Sequence, residues 1–278
     1  MKQILTFFLI ALLVSGCQST NRLGDHNGWS KARDITKQQS PPRIVQKGDP
    51  NNLQKALVIG NSEYDYSRLH NPVNDAIAMT ETLVNMGFYV TRATNLNRQT
   101  MMDAVQVFEK SLSDTQVDVA LLYFSGHGVQ IKGQNFLLPV DNNRGDADLK
   151  QNAVLAQNVL AMMKKVNNGM NIFVLEASRN NPYRGSEKNN ARGLARIVPP
   201  KGTLIAFAAA PGQAVLESEG LYGLYTTHLL KALKNAQHKR IEDVFMEIHN
   251  PVVTESEGGQ EPWYQASLRV PFCFGGCR

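Results

Sequence analysis

Apolar and polar positions along this chain fall into two alternating patterns, which predict strands and helices in turn. Short apolar runs, most of them ending at a glycine or a polar residue, are typical of buried parallel strands. These runs are residues 55–60, 88–91, 117–124, 171–176 and 203–207, with a last one at about 266–272. Longer stretches with apolar residues every three or four positions predict helices at about 71–86, 99–112, 153–165, 221–235 and 241–250. Strands that alternate with helices indicate an α/β fold with a doubly wound sheet.

The spacing within the first two helices predicts which side chains face the core. Asn71-Pro72 opens the first helix and Gly87 ends it, because proline suits a first helical turn and glycine suits a helix end. The inward side chains that we expect are Val73, Ile77, Thr80 and Val84 in the first helix and Met102, Val105 and Phe108 in the second. Apolar residues on both sides of Lys132-Gly-Gln134 predict a hairpin.

Two segments lie where a doubly wound sheet binds its ligands, beyond the carboxyl ends of the strands. One is the Ser-Gly-His-Gly segment around His127, and the other follows Glu176. No glycine-rich loop has the lysine and the spacing of a nucleotide-binding loop. No histidine has a partner at metal-ligand spacing, and no array of aromatic and basic residues suggests nucleic-acid binding. The search for chemistry therefore concentrates on these two segments.

The N-terminus resembles a bacterial lipoprotein signal. Lys2 is followed by an apolar run, Ile4 to Val14, that is too short to span a bilayer and is typical of an export signal. The run ends in Val-Ser-Gly-Cys, which resembles a lipobox, so we expect Cys17 to be acylated and to become the mature N-terminus. By analogy with Gram-negative sorting, Gln18 favours the outer membrane, with the domain facing the periplasm. The alternative is a chance apolar terminus with a buried cysteine.

Residues 17–50 differ in composition from the rest of the chain. They are polar, mixed in charge and almost without apolar periodicity, which predicts a lipidated tether. The alternative is an irregular arm packed on the domain, for which Trp29 and Ile35 would be the docking residues. Residues 51–278 then form one α/β domain, and they are enough to bury a proper core.

Charge and cysteine content limit the partners and the chemistry. The net charge of +5 is spread along the chain, which favours an ordinary solvated surface over a polyanion-binding patch. Of the three cysteines, Cys17 is assigned to the lipid, and Cys273 and Cys277 lie four positions apart around two glycines. Outside the cytosol such a pair is expected to form a disulfide loop. A metal site would need two more soft ligands, and no histidine lies nearby in the sequence.

Several motifs in order along the chain resemble those of the caspase and metacaspase superfamily. They are Ala56-Leu-Val-Ile-Gly-Asn61, Asn71-Pro-Val-Asn-Asp-Ala76, Ser125-Gly-His-Gly128, Glu176-Ala-Ser-Arg-Asn-Asn-Pro182, Ala209-Ala-Pro-Gly212 and Gln260-Glu-Pro-Trp263. His127 and Ser178 are 51 residues apart, close to the separation of histidine and nucleophile in caspases. The resemblance covers about residues 53–272 and implies a three-layer α/β/α sandwich around a mostly parallel sheet.

The resemblance also implies a role for each motif residue. His127 matches the catalytic histidine, and Ser178 stands at the position of the nucleophilic cysteine. The backbone N–H groups of Gly128 and residue 178 would form the oxyanion hole. Asp75 and Glu176 would line a pocket for an arginine or lysine of the substrate, although Asp75 could instead serve the N-terminal turn of its own helix. Calcium binding, as in some metacaspases, and cleavage of the 179–200 loop stay open, and no other cofactor is implied.

Serine in place of cysteine decides the expected function. An alcohol has a pKa several units above that of a thiol, so roughly 7 kcal/mol of activation must come from elsewhere. Serine hydrolases obtain it from a histidine that an acid orients. Here the nearest acids in sequence, Asp118 and Asp141, are placed by no motif. We therefore expect a pseudopeptidase that binds a peptide or an envelope protein. The alternatives are an endopeptidase with a His127–Ser178 dyad that cleaves after arginine or lysine, and an envelope scaffold.

Overall fold

The structure is a computed structural model, and it describes residues 43–113, 116–142, 151–167, 169–177 and 193–278. The predicted export signal, Cys17, Gln18, the predicted tether as far as residue 42 and Ser178 lie outside the described residues. The description below therefore concerns the globular part of the chain.

The described residues form ten strands and five helices in an alternating order. In chain order they are β1 (Arg43–Lys47), β2 (Gln54–Gly60), α1 (Pro72–Asn85), β3 (Tyr89–Thr94), α2 (Arg98–Ser113), β4 (Val119–Gly126), β5 (Gly128–Ile131), β6 (Gln134–Leu137), β7 (Val154–Leu155), α3 (Ala156–Val166), β8 (Met170–Ala177), β9 (Thr203–Phe207), α4 (Leu224–Lys234), α5 (Ile241–Glu255) and β10 (Trp263–Ser267). The predicted strands and helices are present, with shifts of a few residues at their ends. The last strand lies a few residues earlier than predicted, at residues 263–267.

The main sheet has seven strands in the order β1-β3-β2-β4-β8-β9-β10. Its five central strands run parallel to one another, and the two edge strands β1 and β10 are antiparallel to their neighbours. The predicted hairpin is present as β5 and β6, which form a small antiparallel sheet with β7. The central strands end at the same edge of the main sheet, so the segment around His127 lies beside the end of β8 at Glu176 and Ala177.

Two hydrophobic layers cover the faces of the sheet. Alternate residues of a strand point to opposite faces, and in β2 the side chains of Ala56 and Val58 pack with residues of α1, α4 and α5. Leu57 and Ile59 pack on the other face with residues of α2 and α3. This arrangement confirms the α/β/α sandwich. Within the described residues, no helix combines the length and the hydrophobicity needed to cross a bilayer.

The domain begins earlier than the sequence pattern predicted. Residues 43–47 were assigned to the tether, but they form the edge strand β1, paired with β3 from Arg43 opposite Thr94 to Lys47 opposite Val90. In β1 only Val45 is even partly buried. An edge strand that buries so little apolar surface leaves no hydrophobic pattern in the sequence. The predicted boundary at residue 51 is therefore wrong, and the described part of the sheet starts at Arg43.

The predicted inward faces of the first two helices were partly wrong. In α1 the predicted residues Val73, Ile77 and Val84 are only partly buried. The buried residues of α1 are Pro72, Asp75, Ala76, Met79, Thr80 and Leu83. In α2, Met101 is buried and Met102 is 37% exposed, whereas Val105 and Phe108 point inward as predicted. The buried face of α1 contains a carboxylate, Asp75. A prediction that places only apolar side chains on the buried face could not find it.

The C-terminal segment is tied to the helical layer that contains α4 and α5. The structure joins Cys273 and Cys277 in a disulfide. Phe274, between them, is buried in the core beneath these helices. The N–H groups of His238 and Ile241 donate to the carbonyls of Phe274 and Phe272, at 2.8 and 2.9 Å. The loop thus closes the end of the α4–α5 layer away from the carboxyl ends of the strands.

A close contact at Gly60 places the start of α1 directly over the end of the sheet. A Cβ at position 60 would lie 2.1 Å from the carbonyl oxygen of Pro72 and 2.7 Å from the Cβ of Ala76. Any side chain here would push the first turn of α1 away from β2. Gly60 therefore allows Asp75, in that turn, to reach the edge where β4 and β8 end.

Candidate active site

His127 lies between β4 and β5, where the chain leaves the main sheet for the hairpin. Its side chain is almost fully buried, with 2% of its surface exposed. The ring of Tyr64 meets the imidazole edge-on, with 4.3 Å between the ring centroids, and the ring of Tyr66 stacks on it at 5.4 Å. The centroids of the two tyrosine rings are 6.0 Å apart, so the imidazole and the two rings form one aromatic cluster.

Hydrogen bonds fix the backbone and the ring of His127. Its backbone N–H donates to the Tyr64 hydroxyl at 2.9 Å, and this hydroxyl donates to the carbonyl of Leu138 at 3.0 Å. The Nε2 atom lies 2.8 Å from the carbonyl oxygen of Ser67. Because a carbonyl can only accept, Nε2 carries the proton, and in the neutral ring Nδ1 is the nitrogen that can accept one. This is the tautomer that a general base acting through Nδ1 requires.

Gly128 brings the histidine loop next to the end of β8. A Cβ at Gly128 would lie 3.0 Å from the Cβ of Ala177, the residue before Ser178. In the paired strands, Gly126 lies opposite Ala177. Ser178 itself lies outside the described residues, so its role as nucleophile and the oxyanion hole that it would form with Gly128 stay predictions.

Asp75 reaches across the edge of the sheet and is buried, with 1% of its surface exposed. Its Oδ2 accepts a hydrogen bond from the Ser125 hydroxyl at 2.9 Å, and its Oδ1 accepts one from the backbone N–H of Gly223, also at 2.9 Å. Neither donor belongs to α1. The alternative that Asp75 serves the N-terminal turn of its own helix therefore has no support in its hydrogen bonds.

Glu176 is the second buried carboxylate at this edge, with 5% of its surface exposed. Its Oε2 accepts hydrogen bonds from the hydroxyls of Tyr123, at 3.1 Å, and of Thr226. Its Oε1 is buried and has no hydrogen-bond partner among the described residues. A carboxylate oxygen in this condition has lost its hydration without compensation, which is costly unless a ligand supplies a donor.

Asp75 and Glu176 line the same small pocket, which has a volume of about 40 Å³ and opens to solvent. The lining consists of apolar and polar residues with carboxylates: Leu69, Asn71, Pro72, Asp75, Ser125, Gly126, Glu176, Val215, Leu216, Glu217 and Gly223. No lysine, arginine or histidine is among these described lining residues. The described lining of the pocket therefore carries three carboxyl groups, those of Asp75, Glu176 and Glu217, and no basic side chain.

Burial raises the pKa values of both carboxyl groups. Burial, and then the charge of Glu176, raise the pKa of Asp75 from 3.8 to about 8, against the lowering effect of the Gly223 N–H and the Ser125 hydroxyl. Burial raises the pKa of Glu176 from 4.5 to about 6, and hydrogen bonds from Thr226 and Tyr123 limit the rise. Near neutral pH the pair therefore holds about one proton and one negative charge.

The two acids considered as partners of His127 have other positions. The carboxylate of Asp141 accepts a hydrogen bond from the backbone N–H of Arg98, at the start of α2, at 2.9 Å. Asp118 lies just before β4, at the end of the strand opposite to His127. One described contact that orients the imidazole is the carbonyl of Ser67, 2.8 Å from Nε2. Among the described residues, no group of three acidic, histidine or cysteine side chains could hold a metal ion.

The main contacts of the site that sequence reasoning missed are of two kinds. Tyr123 and Ser125 are two positions apart on β4, so they share one face of the strand. The sequence therefore contained a signal for these two contacts, namely two polar residues with this spacing at the carboxyl end of an apolar strand. Ser67 and Gly223 act through backbone groups, which no side-chain pattern reveals.

His127, Asp75 and Glu176 lie together where the parallel strands of the sandwich end. This fold and this site define the chain as a peptidase-like α/β sandwich, and comparison with known proteins identifies its family. The model of the Caspase domain family matches residues 53–273, and the chain belongs to this family. The mucosa-associated lymphoid tissue lymphoma translocation protein 1 homolog of Mus musculus is 33% identical over 141 residues, 50% of this chain and 16% of that protein. The Homo sapiens protein of the same name is 34% identical over 125 residues, 45% of this chain. The chain matches only 15% of that human protein's length.

The raised pKa of Asp75 predicts a stability that depends on pH. The folded state binds a proton at Asp75 that the unfolded state has released, between pH 3.8 and about 8. The contribution of Asp75 to the free energy of unfolding is therefore greatest below this range. It decreases as the pH rises through the range and is lost above about 8. We expect the melting temperature to fall by at least about 3 °C between pH 6.5 and 8.5, because each kcal/mol corresponds to about 2–4 °C in a domain of this size. Differential scanning calorimetry measures it.

Substitution of Asp75 identifies the source of this pH dependence. In Asp75→Asn the fall between pH 6.5 and 8.5 should become much smaller, since no carboxyl group remains to ionise at that position. Asp103→Asn, on the surface of α2, is the matched control and should keep the wild-type slope. An unchanged slope in Asp75→Asn would contradict the assignment.

Proposed function

We propose that this caspase-like domain recognises a basic side chain, arginine or lysine, of a peptide or envelope protein, and that Ser178 leaves it impaired as a peptidase. The observation that carries the proposal is the pair of buried carboxylates, Asp75 and Glu176, in one pocket. A guanidinium or an ammonium group is the natural counterpart of such a pair, because it supplies both positive charge and hydrogen-bond donors.

The unused acceptor in this pocket supports a basic ligand. Glu176 Oε1 has no hydrogen-bond partner among the described residues. A charged donor on a ligand would offset the cost of burying this oxygen, and charge-assisted hydrogen bonds are the strong ones. A neutral isostere such as citrulline has donors but no charge, so it should bind much more weakly.

The surroundings of His127 support the impairment. A serine hydrolase uses a carboxylate to stabilise the imidazolium that forms when the histidine takes the proton of the serine. Here Nε2 faces a backbone carbonyl, that of Ser67. A carbonyl orients the ring but carries only a partial charge. Such a contact is sufficient for a nucleophile that is already acidic, such as a thiol.

An active endopeptidase that uses His127 and Ser178 is the second candidate. The observation in its favour is the same Ser67 carbonyl, because it selects the tautomer in which Nδ1 can accept a proton. In this reading the chain would cleave after arginine or lysine through an acyl-enzyme on Ser178. The two candidates share the basic pocket and differ only in turnover.

Turnover of fluorogenic peptides separates the two candidates. We expect wild type to show no cleavage above background of peptides with arginine, lysine, citrulline or aspartate before the reporter group. Ser178→Cys should cleave the arginine and lysine peptides, because a thiol near pKa 8.5 is partly ionised at neutral pH. His127→Ala in the Ser178→Cys background should abolish that cleavage.

Cleavage by wild type that His127→Ala abolishes would overturn the impairment and establish the endopeptidase. Cleavage of the aspartate peptide in preference to the arginine peptide by Ser178→Cys would overturn the basic pocket. Inactivity of Ser178→Cys together with an absence of binding to arginine peptides would favour a scaffold.

We further propose that the domain is held at a membrane by a lipid on Cys17, in a bacterial lipoprotein that faces the periplasm. The lipobox-like sequence that ends at Cys17 supports this location. More than one acyl chain makes such anchoring stable. In cells fed radioactive palmitate, wild type should carry the label and sediment with membranes, and Cys17→Ser should do neither. Labelling that persists in Cys17→Ser would contradict the assignment.

A further inference from the structure

The two oxygens of Glu176 have different surroundings. Oε2 accepts hydrogen bonds from the hydroxyls of Tyr123 and Thr226. Oε1 has no hydrogen-bond partner among the described residues and lies against Gly223, where a Cβ would be 2.1 Å away from it. One oxygen is thus tied to two hydroxyl groups, and the other lies buried beside Gly223 without a hydrogen-bond donor among the described residues.

Thr226 lies in the first turn of α4, and none of its surface is exposed. Its hydroxyl contacts both Glu176 and the hydroxyl of Tyr123. In the same turn, Gly223 donates its backbone N–H to Asp75. The start of α4 therefore touches both carboxylates, and Thr226 is its side-chain contact with Glu176.

We propose that Thr226 is a positioning residue of the basic-side-chain pocket. Its hydroxyl holds Oε2 of Glu176 against α4, so that Oε1 is directed to the ligand. Tyr123 assists from β4. This inference rests on the proposed function, because it assigns to Thr226 the orientation and the ionisation of the group that would receive the basic side chain. Thr226 itself does not touch the ligand.

The electrostatics of the pocket support this role. Among the described residues, the titratable groups near Glu176 are Asp75 from α1, Tyr123 from β4, Tyr225 from α4 and, at the pocket wall, Glu217. Burial raises the pKa of Tyr123 well above 10, so its hydroxyl keeps its proton. The Thr226 hydroxyl is the largest influence that lowers the pKa of Glu176, which is about 6 in spite of burial. Loss of this hydroxyl should keep Glu176 protonated to a higher pH.

The test measures binding as a function of pH with the full chain. The probes are the peptide acetyl-Ala-Ala-Arg-amide and its citrulline counterpart, and isothermal titration calorimetry gives Kd from pH 5.5 to 8.5. The variants are Thr226→Val, which removes the hydroxyl at nearly constant volume, and Thr226→Ser, which retains it. Thr227→Val, the same substitution one position along α4, is the matched control.

In wild type, binding of the arginine peptide should tighten as the pH rises through about 6, where Glu176 ionises. In Thr226→Val we expect this rise to move up by about one pH unit, which is about a fivefold weaker Kd near pH 6. The difference should close by pH 8.5. Thr226→Ser and Thr227→Val should follow wild type, and Tyr123→Phe should shift in the same direction as Thr226→Val.

A loss of affinity in Thr226→Val that is equal at every pH would overturn the proposal and leave Thr226 a packing residue. An unchanged profile would also overturn it. If Thr226→Val does not fold, the same pH series is measured with Tyr123→Phe. A pH profile in Tyr123→Phe that matches wild type would then overturn the proposal that these hydroxyls position Glu176. If wild type binds the citrulline peptide as tightly as the arginine peptide, the proposed function itself fails, and that outcome is separate from the others.

Discussion

Two carboxylates buried side by side, without a described cation between them, are the constraint on which the rest of this site depends. Asp75 and Glu176 each lose their hydration at the edge of the sheet, and the charge of Glu176 opposes that of Asp75. The neighbouring donors are neutral: hydroxyl groups and the backbone N–H groups of Gly223 and Thr226. Such donors reduce the cost of burial without cancelling the charge. The folded protein therefore tolerates the two buried carboxyl groups, and the negative charge that remains on them would attract a positive group.

The fold supplies this arrangement through close contacts of the backbone. Gly60 lets the first turn of α1 rest on the end of β2, which places Asp75 over the sheet. Gly223 leaves room for Glu176 beside the start of α4. Neighbouring strands β4 and β8 then bring Ser125 opposite Glu176. The pocket thus combines residues of α1, β4, β8 and the start of α4, which are distant in sequence, and each contact depends on a small residue.

The sequence predicted the part of the molecule that rests on apolar pattern and on motif order. The parallel strands, the helices and the segments around His127 and Glu176 follow from both. The pattern failed where burial is slight, as in β1, or where an inward position is polar, as at Asp75 in α1. It also missed the Ser67 carbonyl, because a backbone group leaves no trace in the residue type. These are the features that tertiary contacts decide.

The acidic pocket that would recognise a side chain and the His127 segment that would react differ in which of the required residues the chain contains. The acidic pocket has its carboxylates, its donors and its open acceptor, all within the described residues. The reactive part has a histidine that is fixed by Ser67 and Tyr64, but the sequence places a serine where the family's reaction uses a thiol. The central claim is therefore about recognition. It predicts that the chain selects a positive side chain whether or not it cleaves the bond that follows.

A crystal structure of the chain with a bound arginine peptide tests this claim most directly. The account predicts that the guanidinium enters the pocket and donates to Glu176 Oε1 at about 2.7–2.9 Å, the range of charge-assisted hydrogen bonds. Asp75 should lie on the same side of the guanidinium. An arginine side chain that lies outside the pocket, with Oε1 contacted by no part of the peptide, would contradict it.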